Sequence, residues 1–488
     1  MIAEDAIISA ILLPWLGALA IVLAGRVHEN LREAVTIVTA LALVYVVWGL
    51  LPEVADGGRP GILVSNIVGR IDLAFRVEPL GMLFAALASG LWVINSVYSI
   101  GYMRGNKEKH QTRFFACFAI ALGATMGVAF AGNLFTLFLF YEILTLSTYP
   151  LVSHKGDDKT VASARVYLGV LLTTSIGLLL PAIIWTYHSA GTGDFVKGGI
   201  LEGRISGPEV GLLLALFVFG VGKAAVMPVH RWLPAAMVAP TPVSALLHAV
   251  AVVKAGVFTI TKVIVYIFGI DFLFSEPSSS WLVYAAAFTI VAASIVALRQ
   301  TNLKRMLAYS TVSQLSYVVL AAAILKPLSE IGAAIHMVAH AFGKITLFFA
   351  AGAIYVASKK TELHQLKGIG RRMPWTMTAF TIGALSMIGV PPTGGFVSKW
   401  YILAGAFEAQ NLVAIMTIIL STALNAAYFL PVIFIAWFAK EEADAPEHGE
   451  APLPAVAALT VTAILVIGFF LFNGPVIDLE RQVVGEGP

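Results

Sequence analysis

Charge is the first thing this sequence lacks. Of its 488 residues only 12% are Asp, Glu, Lys or Arg while 59% are hydrophobic, and the mean hydropathy is +0.87. Soluble domains carry charge on about a quarter of their residues, so lipid must be the main solvent here. Cysteine is nearly missing too. Cys117 stands alone in an apolar run, which excludes a disulfide framework and a thiolate metal cluster and leaves no redox chemistry to the chain itself. The net charge of +3 is too small to imply a nucleic-acid partner. No low-complexity tract or long linker divides the chain. A length that would suggest about three soluble domains is therefore expected to form one membrane domain.

Long apolar runs are what the sequence has instead. A helix-length hydropathy window predicts spans near 5–25, 33–52, 79–99, 113–131, 133–152, 164–187, 209–229 and 242–269, then 281–298, 304–324, 330–356, 374–398, 410–438 and 454–472. The joins near Ala131 and Pro240 are the least defined, being short or apolar. The first run, Ile7 to Ala24, follows Glu4 and Asp5 rather than basic residues, and no small-x-small site leads into a soluble stretch. It is expected to be the first span and not a signal peptide.

Lys and Arg in short loops orient such a chain. Loops after odd-numbered spans hold Arg26 and Arg32; Arg104, Lys107, Lys109 and Arg113; Lys155, Lys159 and Arg165; Arg231; Arg299, Lys304 and Arg305; Lys359, Lys360, Lys367, Arg371 and Arg372; and Lys440. Loops after even-numbered spans hold Arg59, Arg70, Arg76, Lys197, Arg204 and Lys326, with Arg481 in the tail. The bias is about threefold and places both termini away from the cytoplasm. The acidic stretch from Glu441 to Glu450 would then be cytoplasmic, where carboxylates are tolerated.

Five cations remain inside predicted spans: Lys223, Lys254, Lys262, Lys344 and Lys399. One acid, Glu142, accompanies them at mid-span in LFLFYEILTLSTYP. A charged side chain at mid-bilayer costs about 2.5–3.5 kcal/mol or more, so such residues face a protein interior or a hydrated cavity and point to function. Lys223 is the natural partner for Glu142; a structural ion pair and a snorkelling lysine are the bland alternatives. Lys254 follows His248 by six residues, which puts the two on different helical faces, towards different neighbours. Lys262 lies nearer the span's end, where snorkelling or a bond to a backbone carbonyl competes with a transport role.

His336, His340 and Lys344 recur at i, i+4 and i+8 and so share one face. Imidazoles titrate nearest neutral pH, and the stripe suits proton relay. Zinc could use two His at this spacing, but a third ligand and a catalytic carboxylate are missing nearby, and simple hydrogen bonding across helices is the other alternative.

Two predicted spans contain helix breakers. FGVGKAAVMPVHRWLP carries Pro228 five residues after Lys223, and MIGVPPTGGFVSKW carries Gly389, Pro391, Pro392, Gly394 and Gly395 ahead of Lys399. Broken helices in membranes line cavities and mark transport sites. Breaks five spans apart are what two inverted five-helix repeats produce. The expected architecture is therefore an all-α membrane protein of about fourteen transmembrane helices, with three N-terminal helices in 1–112, repeats in 113–270 and 271–440, and an acidic loop and last helix in 441–488.

These segments together resemble the antiporter-like subunits shared by respiratory complex I, membrane-bound hydrogenases and Mrp-type multisubunit cation/proton antiporters. The resemblance covers about residues 75 to 435 and rests on the glutamate span, GKAAVMPVHRWLPAAMVAPTPVSALLH, LKRMLAYSTVSQLSY, HMVAHAFGK and GVPPTGGFVSKW. It implies that Glu142 and Lys223 form a coupling pair, that Lys254 is the central relay lysine, that His336, His340 and Lys344 continue the relay, and that Lys399 ends it. His248 is a further candidate. A lysine at 399 and a short stretch after the last span look like the D-type component of Mrp antiporters, whereas His248 and Gly343 depart from that pattern. The implied function is a proton-translocating subunit of a sodium or other monovalent cation/proton antiporter in the inner (plasma) membrane. Its partners would be other membrane subunits, protons, monovalent cations and the bilayer, with no cofactor and no metal. The nearest alternative is a proton-pumping subunit of a complex I-like or hydrogenase assembly. A stand-alone solute carrier lacks paired acidic sites, and an enzyme lacks a nucleophile or cofactor loop.

Overall fold

The structure, a computed structural model, describes residues 3–68, 71–441 and 447–485. Arg70 and positions 442–446 of the acidic stretch lie outside them. Among the described residues twelve helices are long and apolar enough to cross a membrane. We label the helices used below α1 (Ala3–Val27), α2 (Glu29–Trp48), α3 (Pro79–Gly105), α4 (Gln111–Ala129), α5 (Leu134–Val152) and α6 (Asp158–Ala190). Next come α7 (Pro208–Gly220), α8 (Thr241–Phe268), α9 (Trp281–Leu298), α10 (Leu303–Ala323) and α11 (Pro327–Ser358). The last are α12 (Pro374–Ile388), α13 (Gly394–Glu408), α14 (Leu412–Phe438), α15 (Leu453–Leu471) and the short α16 (Gly474–Val484).

The two spans expected to be interrupted are interrupted. α7 stops at Gly220, and short 3₁₀ turns carry the chain past Lys223 and Pro228 to Thr241. α12 stops at Gly389, whose φ of 92° only glycine adopts freely, and α13 restarts at Gly394. With these two crossings added to the twelve, the chain crosses fourteen times. Capping residues set several starts: Asn133, Asp157, Asn302 and Asn411 each accept a backbone N–H from the first turn of α5, α6, α10 and α14.

α8 is the axis of the molecule. Its apolar stretch is wholly buried, and α10 and α11 are nearly so. α1, α2, α6, α9, α14 and α15 form the rim and turn Leu16, Leu19, Tyr45, Ile184, Phe288, Phe434 and Ile464 outward. A surface this apolar is stable only against lipid.

A two-stranded antiparallel hairpin, β1 (Gly61–Val68) and β2 (Ile71–Arg76), was not expected from the sequence. Its runs are too short to span, and alternating apolar residues favour a strand. It also resolves the tight join near Ala131. Arg76 N donates to Phe130 O at 2.7 Å and Gly132 N to Ala74 O at 2.7 Å, so that the loop's backbone groups are paired.

His154, just beyond α5, is 2% exposed, and its ring stands edge-on to Phe114 at 5.9 Å. Burial, with help from the Arg113 cation, lowers its pKa to about 4. A depressed imidazole pKa favours folding above the unfolded value of about 6.5. That contribution is lost as pH falls from there through about 4. Thermal unfolding of the detergent-purified protein should show this loss across that window. His154→Phe, which keeps the contact with Phe114, should flatten it.

Candidate functional site

Every intramembrane lysine picked out by the sequence is buried, and each finds oxygen or nitrogen partners. Lys223 sits in the 3₁₀ turn that follows α7. Its Nζ donates to Tyr141 O at 2.9 Å and to Thr145 Oγ1 at 2.5 Å, and it lies 3.1 Å from the centre of the Tyr141 ring. Its backbone N–H donates to Tyr141 Oη at 3.1 Å. α8 can approach this turn because residue 256 is glycine; a Cβ there would strike the backbone of Lys223 and Ala224.

Glu142 does not complete an ion pair with Lys223 in this structure. Both of its carboxylate oxygens are buried without a hydrogen-bond partner among the described residues. The expected pair is thus seen apart, with the ammonium held by the two residues that flank Glu142 on α5, at positions −1 and +3.

Lys254 Nζ lies 2.9 Å from His340 Nδ1, which joins α8 to α11 at the centre of the molecule. The expectation that His248 and Lys254 face different neighbours is overturned. The His248 ring packs on Phe348 at 4.6 Å, so both residues look towards α11. A π-helical turn at Leu246–Val250, closed by Ala251 N to Leu246 O, inserts an extra residue between them and rotates one face onto the other. Neither ring nitrogen of His248 has a partner among the described residues.

Two hydrogen-bonded routes continue from α11. Along one, His336 lies with its ring 6.0 Å from that of His340, and its Nδ1 is 2.9 Å from Ser398 Oγ. Its Nε2 is 3.1 Å from Gln314 O. Along the other, Lys344 Nζ donates to Ser310 Oγ at 2.6 Å, and Tyr428 Oη meets the same hydroxyl at 2.9 Å. Tyr428 Oη also donates to Asn425 Oδ1 at 2.5 Å, and Asn425 Nδ2 donates to Met387 O at 3.2 Å.

Both routes end at Lys399. Its Nζ donates to Met387 O at 3.2 Å, Ile388 O at 2.8 Å and Thr422 Oγ1 at 3.2 Å. Those two carbonyls are the free C-terminal end of α12, the negative pole of its dipole, and they exist because Gly389 stops the helix. The break therefore builds the socket for the ammonium.

Lys262 does not snorkel. It is fully buried, donates to Ala131 O and pairs with Glu78, the residue just before α3. Glu142 is also not the sole buried acid: Glu33, Glu78, Glu330 and Glu480 are each at least nine-tenths buried. All four sit at or near helix ends, where a hydropathy window assigns charge to the interface. The hydroxyl and amide residues Ser310, Ser398, Thr145, Tyr428 and Asn425 went unnoticed because only their placement, not their type, sets them apart. Among the described residues no group of three His, Cys, Asp or Glu is disposed to hold a metal ion.

Residues 131–425 match the family described as NADH:quinone oxidoreductase/Mrp antiporter, TM, and residues 66–115 match the complex I chain 5 N-terminus. The chain is 32% identical over 484 residues to NADH-quinone oxidoreductase subunit N of Desulforudis audaxviator, covering 96% of each. It is 31% identical to the A/B component of a probable K(+)/H(+) antiporter of Rhizobium meliloti, over 96% of this chain and 47% of that one. The chain thus spans about half the length of that relative. In fold it is similar to a chain of the Mrp complex from Dietzia, with a TM-score of 0.87 and 22% identity over 100% of this chain and 98% of that one. A chain of the membrane-bound sulfane sulfur reductase gives 0.84 and 23%, over 99% and 97% respectively. Two interrupted spans, a buried line of amines and imidazoles between them, and a family match over most of the chain agree, and the protein belongs to the NADH:quinone oxidoreductase/Mrp antiporter family of multi-pass, proton-translocating membrane subunits.

Proposed function

We propose that this chain relays protons along the membrane midplane as the Mrp D-type component of a multisubunit monovalent cation/proton antiporter, with sodium as the exchanged cation. It would work beside other membrane subunits in the inner membrane, both termini on the non-cytoplasmic side. The observation that carries this is the connected set Lys254, His340, His336 and Lys344, with two hydrogen-bonded routes from α11 to the socket of Lys399. Each group can accept or give a proton, and each neighbour is an oxygen or nitrogen that can pass it on.

Residues 113–270 and 271–440 act as the two repeat units, each contributing one broken helix. Glu142 is the switch of the first. When Lys223 leaves Tyr141 O and Thr145 Oγ1 for the Glu142 carboxylate, its ammonium gains an opposite charge; when it returns, that charge is withdrawn and proton release becomes easier. His248 stands by Lys254 as a loading group on the α8 side.

The full-length similarity to an NADH-quinone oxidoreductase subunit N supports a second reading, in which the same path is driven by a redox partner. The subunits that copurify with the chain separate the two. Small antiporter partners and sodium-dependent acidification of vesicles support the first; iron–sulfur partners with sodium-independent pumping support the second.

Glu142→Gln or Lys223→Ala in the assembled complex should reduce proton flux in vesicles by about two orders of magnitude, with the set of assembled chains unchanged on native gels. Wild-type flux in both variants would refute the switch. Tyr428→Phe removes the hydroxyl that bridges Ser310 and Asn425 but leaves the His336 route intact. Flux should fall only severalfold, and His336→Ala combined with Tyr428→Phe should bring it to the level of Lys399→Ala.

A further inference from the structure

The mechanism above leaves several buried carboxylates unused, and three of them gather on one face. Glu78 precedes α3, Glu330 lies in the first turn of α11, and Glu480 lies in α16. α16 packs across both α11 and α3. By the parity of the crossings all three acids, and the Lys262 end of α8, lie on the face that carries the termini.

These are not ordinary surface acids. Glu330 is 3% exposed and Glu480 2%. Both oxygens of Glu330 and Oε1 of Glu480 have no hydrogen-bond partner among the described residues. α16 is amphipathic, and Glu480 falls on its buried side with Ile477, Leu479 and Val483, where a fourth apolar residue would pack. Glu480 is close enough to repel Glu330 on one side and Glu78 on the other. Among the described residues the only cation bonded within the cluster is Lys262, through Glu78.

The other groups around it are accounted for. The Tyr266 hydroxyl stands at Glu78. Lys326 points at the Phe274 ring. Arg59 and Lys197 are engaged with the side chain and carbonyl of Gln482. Arg481 turns outward towards Asp478.

One lysine cannot neutralise three carboxylates that share a dry site. Leaving a charge there unpaired costs several kcal/mol, and like charges in contact cannot both be ionised cheaply. Either a cation or a proton must make up the difference. The described residues hold no group of three acidic or imidazole ligands arranged for a metal ion, which leaves the proton.

We propose that Glu330 and Glu480, together with the Glu78–Lys262 pair, form a proton-exchange station between the midplane relay and the non-cytoplasmic solution. The inference rests on the relay proposed above and gives it an outlet. Glu330 and His336 are six residues apart on α11, about 9 Å along its axis, and Lys254 and Lys262 are eight apart on α8, about 12 Å. Both helices that meet at the Lys254–His340 contact therefore also reach the station. Outward, α16 offers Asp478 and Arg481 to water. A proton arriving from α11 protonates the Glu330 carboxylate, transfers to Glu480 and leaves to solvent, with no other bond made or broken. Burial, with Glu78 adding to it, pushes the Glu480 carboxyl up to about 8, so that it holds its proton at neutral pH.

The test uses the assembled complex. Infrared difference spectra of the wild type should show protonated carboxyl absorption at pH 7 that bleaches as pH is raised past about 8. Glu480→Gln and Glu330→Gln should each remove part of it. In vesicles each variant should lower proton flux at least about tenfold and abolish its dependence on the pH of the non-cytoplasmic side, with Glu330→Asp partly restoring both. A wild type without a titrating carboxyl band, or variants with an unchanged pH profile, would overturn the proposal whether or not any one variant folds. A carboxyl band that both Gln variants diminish, in a complex that moves no protons, would support the shared proton and overturn the relay instead.

Discussion

An ammonium group taken out of water must be given other oxygen atoms in return, and in a chain solvated by lipid those atoms have to come from the protein. Intact helices cannot supply them, because their carbonyls are already bonded. Lys399 is met by Met387 O and Ile388 O, which are free because α12 ends there. Lys223 sits in the corresponding break and takes Tyr141 O and a threonine hydroxyl. Lys262 uses Ala131 O, a carbonyl in the turn between α4 and α5. Interruptions of the helices and placement of the lysines are therefore one design problem. Each break weakens the backbone, and the lysine it accommodates uses the groups the break exposes.

The same constraint separates charge by depth. Amines and imidazoles occupy the middle, where hydroxyls, carbonyls and neutral imidazole nitrogens solvate them without adding a countercharge. Acids other than Glu142 lie near the ends of helices. Fixed negative partners at mid-membrane would hold the ammonium groups too firmly for protons to move; hydroxyl and carbonyl partners stabilise the charge without trapping it. His340 beside Lys254 is the extreme case, since it can stabilise the ammonium only by its lone pair and can take the proton itself.

Most of this was legible in the sequence for a simple physical reason: a lysine or glutamate inside an apolar run has no soluble explanation. The fourteen crossings, both breaks and the positions of Lys223, Lys254, Lys344 and Lys399 follow from hydropathy and from Pro and Gly. What escaped notice depends on geometry finer than a window can carry. The π turn at Leu246–Val250 has no composition of its own, yet it decides which way His248 faces. Glu78 and Glu330 sit where a span begins, and sequence alone does not say whether such a residue faces headgroups or protein. Glu480 could have been found, because an acid at the third position after Ile477 and before Val483 interrupts the buried face of an amphipathic helix.

The separation of Glu142 from Lys223 is informative on the same grounds. A carboxylate buried among apolar residues without a partner is costly, and an ammonium within reach should capture it unless that ammonium is already well solvated. Here it is, by a carbonyl, a short bond to Thr145 and the face of Tyr141. Two arrangements of similar energy then exist for one lysine: one satisfies Glu142, and the other satisfies the lysine without it. Tyr141 and Thr145 flank Glu142 on α5, so exchange between the two needs only a side-chain movement of Lys223 and no displacement of a helix. A switch of this kind is set by a difference between two large compensations. A small change in the surroundings, such as a proton arriving or leaving nearby, is enough to tip it.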